Sequence, residues 1–128
     1  SCRLYDMDTG ELVAQTAFTP DNPGGNQHGG RFKALAQPVD LPAGFKGVVA
    51  ADGFTEAYQN GNSEGQAPAW NFDTGGGKVT YGADALFGAA GEMPTEVAGT
   101  PGNRFAAASM RFVQVPRGVV SVPSGLAA

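Results

Sequence analysis

Charge is scarce in this chain. Only 16% of the residues are Asp, Glu, Lys or Arg, against roughly a quarter in an ordinary soluble domain. The eight basic residues, Arg3, Arg31, Lys33, Lys46, Lys78, Arg104, Arg111 and Arg117, are scattered, and the net charge is −4. They build no basic face, which excludes nucleic-acid binding through phosphate contacts and a basic helix lying on a membrane surface. No apolar run approaches the ~18 residues of a membrane span, so no membrane insertion is expected. The chain opens SCRLYDMD, without an initiator Met, a charged start or the apolar stretch of a secretory leader. A processed product or a fragment is therefore expected.

A single cysteine, Cys2, excludes an intrachain disulfide. Three readings of it stay open. It is a buried thiol acting as a small hydrophobe, a sulfur that pairs with another chain or an upstream segment, or a reactive thiol with an activating neighbour.

What the chain does have is punctuation. Twenty glycines and nine prolines break 128 residues, 41% of them hydrophobic, into short apolar runs. No window sustains a helical period, and residues 83–90 are the one place where a short helix fits. Period-2 runs bounded by turn residues read as strands. Residues 2–5 and 11–18 form the arms of a hairpin around Asp8-Thr9-Gly10. Residues 31–36 and 45–51 give two more strands, separated by the turn Pro42-Ala43-Gly44. Residues 78–81 read as a short strand and 104–115 as a central one. Residues 19–30, 52–73 and 82–103 read as long loops. About six strands with long loops predict an all-β fold, an antiparallel β-sandwich of jelly-roll or immunoglobulin-like kind. The sandwich domain is expected over residues 1–115, with residues 116–128 an extended tail or linker.

Candidate chemistry lies mostly in the middle of the chain. His28 is the only histidine and stands in the loop GGNQHGG. No G-x-S-x-G nucleophile elbow accompanies it, so no catalytic residues are assigned. Asp52, Glu56, Glu64 and Asp73 offer carboxylate pairs, but a glycosidase needs a separation that sequence does not fix. Asn60, Asn62 and Glu64 carry the oxygen spacing of the first half of a calcium loop. The first position lacks Asp and the twelfth is Asn71, so at most weak Ca2+ binding is expected, and no other cofactor. Asn60-Gly61 also reads as a plain turn dipeptide. Gly75-Gly76-Gly77 lacks the Lys-Ser/Thr of a phosphate loop and reads as a corner or bulge. Tyr58, Trp70 and Phe72, with Asn71 at the edge, suit either a sugar-binding platform or a plug of rings closing a thin core.

With these motifs in view, LYDMDTGELVAQTAF is similar to the segment LYD-x-x-TG-x-LVA of a family of exported bacterial β-sandwich domains. That family occurs often in proteins carrying a PEP-CTERM surface-sorting tail. FKALAQPVDLPAGFKGVVAADGF, NGNS, DTGGGKVTYG, GAAGEMPT and PGNRFAAASMRF resemble its further motifs in the same order, from Leu4 to Phe112. The resemblance implies an extracellular or cell-surface, non-enzymatic module and carries over no catalytic residue. The family pattern has one or two strands ahead of LYD, so an early strand is expected to be missing here. The tail VPRGVVSVPSGLAA also lacks the apolar helix of a sorting anchor.

A missing strand leaves an open sheet edge whose N–H and C=O groups need partners. The tail, with Val119, Val120 and Val122 as side chains, would fill a neighbour's groove by strand addition, and Cys2 would add a covalent link. The expected role is thus a structural or adhesive surface module that assembles with copies of itself or with other surface proteins. The alternative is a carbohydrate-binding module that takes a polysaccharide on the middle-loop aromatics.

Overall fold

A computed structural model of the chain describes residues 1–27, 30–55, 73–82, 85–99, 108–115, 119–121 and 126–127. Two compact units divide the chain. One comprises Ser1–Gly53 and Ala107–Ala128, the other Phe54–Ala106. The described residues contain strands and turns but no helix, and every strand pairing is antiparallel.

The first unit begins with the expected hairpin, β1 (Cys2–Asp6) and β2 (Leu12–Thr16). Its turn is built by one side chain. Asp6 Oδ1 accepts the N–H groups of Asp8 at 2.8 Å and Thr9 at 3.1 Å. The Asp6 N–H then donates to the Glu11 carbonyl at 2.9 Å, and Gly10, at φ 77°, donates to the Asp6 carbonyl at 2.8 Å. β6 (Gly47–Ala51) lies on the other side of β1, giving a sheet ordered β2-β1-β6.

The register slips once between β1 and β2: Leu4 faces Ala14, but Tyr5 faces Leu12. Val13 is the extra residue of a β-bulge, which breaks the alternation of side chains. That is why the neighbours Val13 and Ala14 both pack against the core.

The core of this unit centres on Cys2, Leu4 and Leu41, all buried, with Phe18, Leu35, Val39, Phe45, Val49 and Met110 packed around them. Cys2 and Leu4 share one face of β1 because alternate residues point the same way. Tyr5 is buried on the opposite face. Gly47 stands opposite Asp6, on the Leu4 side of β6. A Cβ there would meet the Phe45 ring at 2.7 Å and Leu4 Cδ1 at 3.0 Å, so a side chain at this point would have to push those groups aside.

Several elements differ from the sequence expectation. Residues 19–30 are not one loop. Thr19 and Asn22 close a small turn by mutual backbone bonds of 3.2 and 3.1 Å. β3 (Gly25–Gln27) then pairs with β4 (Gly30–Phe32) as a hairpin. Its strands are Gly-Asn-Gln and Gly-Arg-Phe, with no apolar alternation to reveal them. The strand expected over 31–36 ends at Phe32, after which Leu35 and Val39 reach the core without a ladder. β5 (Asp40–Leu41) was hidden between Pro38 and Pro42.

The turn after it forms as expected. Phe45 donates to the Pro42 carbonyl at 3.1 Å, and Gly44 sits at φ 81°. The run 104–115 is not one strand. Its described part splits into β9 (Ser109–Met110) and β10 (Val113–Val115), which belong to different sheets. A strand that changes sheets must bend, and Arg111-Phe112 is where it does.

Residues 116–128 supply β11 (Val119–Ser121) and β12 (Leu126–Ala127). β11 lies in a sheet ordered β10-β11-β5, and β12 in one ordered β3-β4-β12-β9.

The second unit holds β7 (Ala85–Phe87) and β8 (Glu96–Gly99), paired with each other, with Ala85 buried. β7 replaces the short helix considered for residues 83–90. The strand expected over 78–81 is also replaced by a turn: Gly75, Gly76 and Gly77 are all left-handed, at φ 61°, 74° and 84°. The Thr74 carbonyl accepts the N–H of Lys78 at 3.0 Å and of Val79 at 3.1 Å. One left-handed turn of this kind is open only to glycine without strain.

Candidate functional site

Two of the polar groups that a catalytic reading would use, Asp52 and Asp73, have work in the fold. Asp52 follows β6 and receives the guanidinium of Arg3 from β1 on its Oδ2. Both side chains are largely covered, at 19% and 23% exposure. Beside them the Asp52 N–H donates to the Ser1 carbonyl at 3.0 Å and the Ser1 nitrogen to the Asp52 carbonyl at 2.8 Å, extending the β1–β6 ladder by one pair. Asp73 Oδ1 accepts the Gly75 N–H at 2.9 Å, and Thr74 Oγ1 accepts that of Gly77 at 3.0 Å. Two N–H groups of the glycine triplet are thereby turned inward to side chains of the same turn, and a phosphate would have to displace them. Glu56, Glu64 and His28 lie outside the described residues.

The calcium candidates Asn60, Asn62 and Glu64, and the sugar-platform candidates Tyr58, Trp70, Asn71 and Phe72, also lie outside the described residues. Among the described residues no three His, Cys, Asp or Glu side chains gather in a way that would hold a metal ion.

The assembly candidates are placed more fully. Cys2 is 0% exposed in the middle strand of its sheet, so its sulfur reaches another chain's thiol only if this unit opens. Val119 and Val120 lie on β11, and Val122 lies outside the described residues. β11 is paired on both sides. Val113 faces Ser121, Gln114 faces Val120 and Val115 faces Val119 on one side. On the other, Leu41 faces Val120 and Asp40 faces Ser121. β12 is likewise a middle strand: Ala127 faces Phe32 of β4, while Leu126 and Ala127 face Met110 and Ser109 of β9.

The segment picked out for strand addition therefore completes two sheets of its own unit. Sequence reasoning missed the residues that receive it, Asp40 and Leu41. The signal available was slight: the three residues Val39, Asp40 and Leu41 between two prolines, where a strand is confined to very few residues.

Comparisons of the chain with protein-family models, with curated proteins and with solved structures find no match.

Proposed function

We propose that this protein is a non-enzymatic structural or adhesive module of the cell surface or extracellular space, assembling with copies of itself through strand pairing. The observation that carries the reading is the commitment of polar groups to the fold. Asp6, Asp73 and Thr74 hold turns, and Asp52 is clamped by Arg3. Catalytic groups are instead arranged around a place where a reacting atom sits. The antiparallel sheets, built from strands of two to five residues, suit a β-sandwich of jelly-roll or immunoglobulin-like kind for the first unit. The ordered resemblance of LYDMDTGELVA and the later motifs to exported surface domains supports the location.

Sedimentation velocity over a wide concentration range tests this reading. The expected result is a mass that grows with concentration. A chain that stays monomeric throughout, and whose Trp70 fluorescence saturates on titration with a polysaccharide, belongs instead to the carbohydrate-binding class.

A further inference from the structure

We propose that β6 is a docking edge for β6 of a second copy of this chain, the two strands pairing antiparallel about a two-fold axis at Val49. The inference rests on the assembly reading above and names the edge that carries it. β6 ends the sheet β2-β1-β6, and among the described residues no strand pairs with its outer side.

The ladder with β1 fixes what that side presents. At one end Ser1 and Asp52 exchange two backbone bonds, of 3.0 and 2.8 Å, and at the other the Met7 N–H donates to the Lys46 carbonyl at 2.8 Å. Bonded and non-bonded pairs alternate along an antiparallel ladder. Lys46, Val48, Ala50 and Asp52 therefore turn their backbone groups to β1. Gly47, Val49 and Ala51 turn theirs outward, where N–H and C=O groups need partners.

Sheet edges are normally blunted by shortness, bulges, prolines or charges, and β6 has none of these. It runs five residues, Gly-Val-Val-Ala-Ala, in unbroken register with β1. The other described edges of this unit are guarded: β2 bulges at Val13, and β3, β5, β9 and β10 are two or three residues long.

One register satisfies the whole edge. Centred on Val49, it sets Val49 against Val49 and Gly47 of each copy against Ala51 of the other, and every such pair exchanges two hydrogen bonds. A slip of two residues either way carries Gly47 or Ala51 of both chains beyond the partner strand. The same register sets Lys46 of each copy against Asp52 of the other, and opposite charges directly across a ladder attract. Asp52 keeps Arg3 on its Oδ2, and a carboxylate accepts several donors. Lys46 Nζ stands 4.0 Å from Asp8 Oδ1 with both side chains 68% exposed, a surface contact too weak to hold the ammonium in place. The pairing is isologous, so it closes at two copies.

The test follows the full chain at rising concentration by sedimentation velocity and by residue-resolved amide exchange. The expected result is a mass that reaches two chains. Exchange at Gly47, Val49 and Ala51 slows by about tenfold once most chains are paired, and more than at Val48 and Ala50, whose N–H groups already serve β1. Lys46→Asp sets like charges across both ends and weakens pairing by about tenfold. Lys78→Asp, an exposed lysine of the other unit, changes the net charge equally and pairs as the native chain does.

A mass that grows while Gly47, Val49 and Ala51 exchange as before overturns this edge, and assembly then stands on another surface. A mass that stays at one chain throughout takes the assembly reading down as well. A Lys46→Asp chain that pairs as tightly as Lys78→Asp overturns the register centred on Val49.

Discussion

The guanidinium of Arg3, on the middle strand of the first sheet, donates to the carboxylate of Asp52, just past the end of β6. Arg3 faces Ala50 in register, so the bond runs diagonally, two residues along β6. It ties the two strands together where their ladder ends. Both groups are mostly withdrawn from water, where a lost partner costs more than at the surface.

Arg3→Ala is expected to lower stability by about 1.5–3 kcal/mol, the range for a hydrogen bond to a charged group, with the Ser1 nitrogen still 3.5 Å from Asp52 Oδ1. Asp52→Ala should cost a similar amount. The double variant should cost clearly less than the sum, because residues in direct contact couple. Urea denaturation of the four proteins measures this, and simple additivity would show that the two side chains act independently.

Leu4 and Leu12 separate core from surface within one hairpin. Leu4 is 1% exposed and Leu12 is 47% exposed. Leu4→Ala is expected to cost about 2–5 kcal/mol, transfer plus cavity, and Leu12→Ala within about 0.5 kcal/mol. Equal losses in thermal denaturation would place Leu12 in a core and contradict the bulge at Val13.

That bulge shows how far the sequence could be read. The hairpin 2–18 was legible because Asp8-Thr9-Gly10 announces its turn and apolar residues alternate on both arms. The slip at Val13 was not, since one extra residue leaves no mark in such a short alternation. β3 and β4 were hidden for the opposite reason: Gly25-Asn26-Gln27 has loop composition and is held by backbone pairing to Gly30–Phe32. Lys78 to Tyr81 looked like a strand by β-propensity, yet the Thr74 carbonyl takes the N–H groups of Lys78 and Val79 into a turn. That β11 and β12 are middle strands was invisible because one partner of each, β5 and β4, lies far away in sequence, and local pattern carries no information about distant partners. Of the site, the valines of the tail were legible and their receiving residues were not.

The left-handed turn at 75–77 gives a third prediction. Thr74→Val removes the acceptor of the Gly77 N–H and keeps the shape of the side chain. Its expected cost is about 0.5–1.5 kcal/mol, that of one hydrogen bond. Amide exchange at Gly77 should accelerate more than at Lys78, whose bond goes to the Thr74 carbonyl. Equal acceleration of both would mean that the turn opens as a unit.

Gly24 and Gly10 offer a paired test of backbone strain against close packing. Both are left-handed, at φ 73° and 77°. A Cβ on Gly10 would meet nothing within 4 Å, whereas one on Gly24 would lie 2.5 Å from the Phe32 carbonyl oxygen. Gly10→Ala should therefore show the conformational cost alone, about 1–2 kcal/mol. Gly24→Ala carries the same cost and a backbone collision as well. Phe32 cannot retreat cheaply, because it pairs with Gly25 on one side and Ala127 on the other. The loss at Gly24 should exceed that at Gly10 by at least the conformational cost itself. The disturbance should also spread to the β4–β12 pairing, since the same Phe32 backbone serves both. Chemical denaturation gives the two losses, and amide exchange at Phe32 and Ala127 gives the spread. Matching losses at the two glycines, with unchanged exchange at Phe32 and Ala127, would remove the close approach of Gly24 to β4.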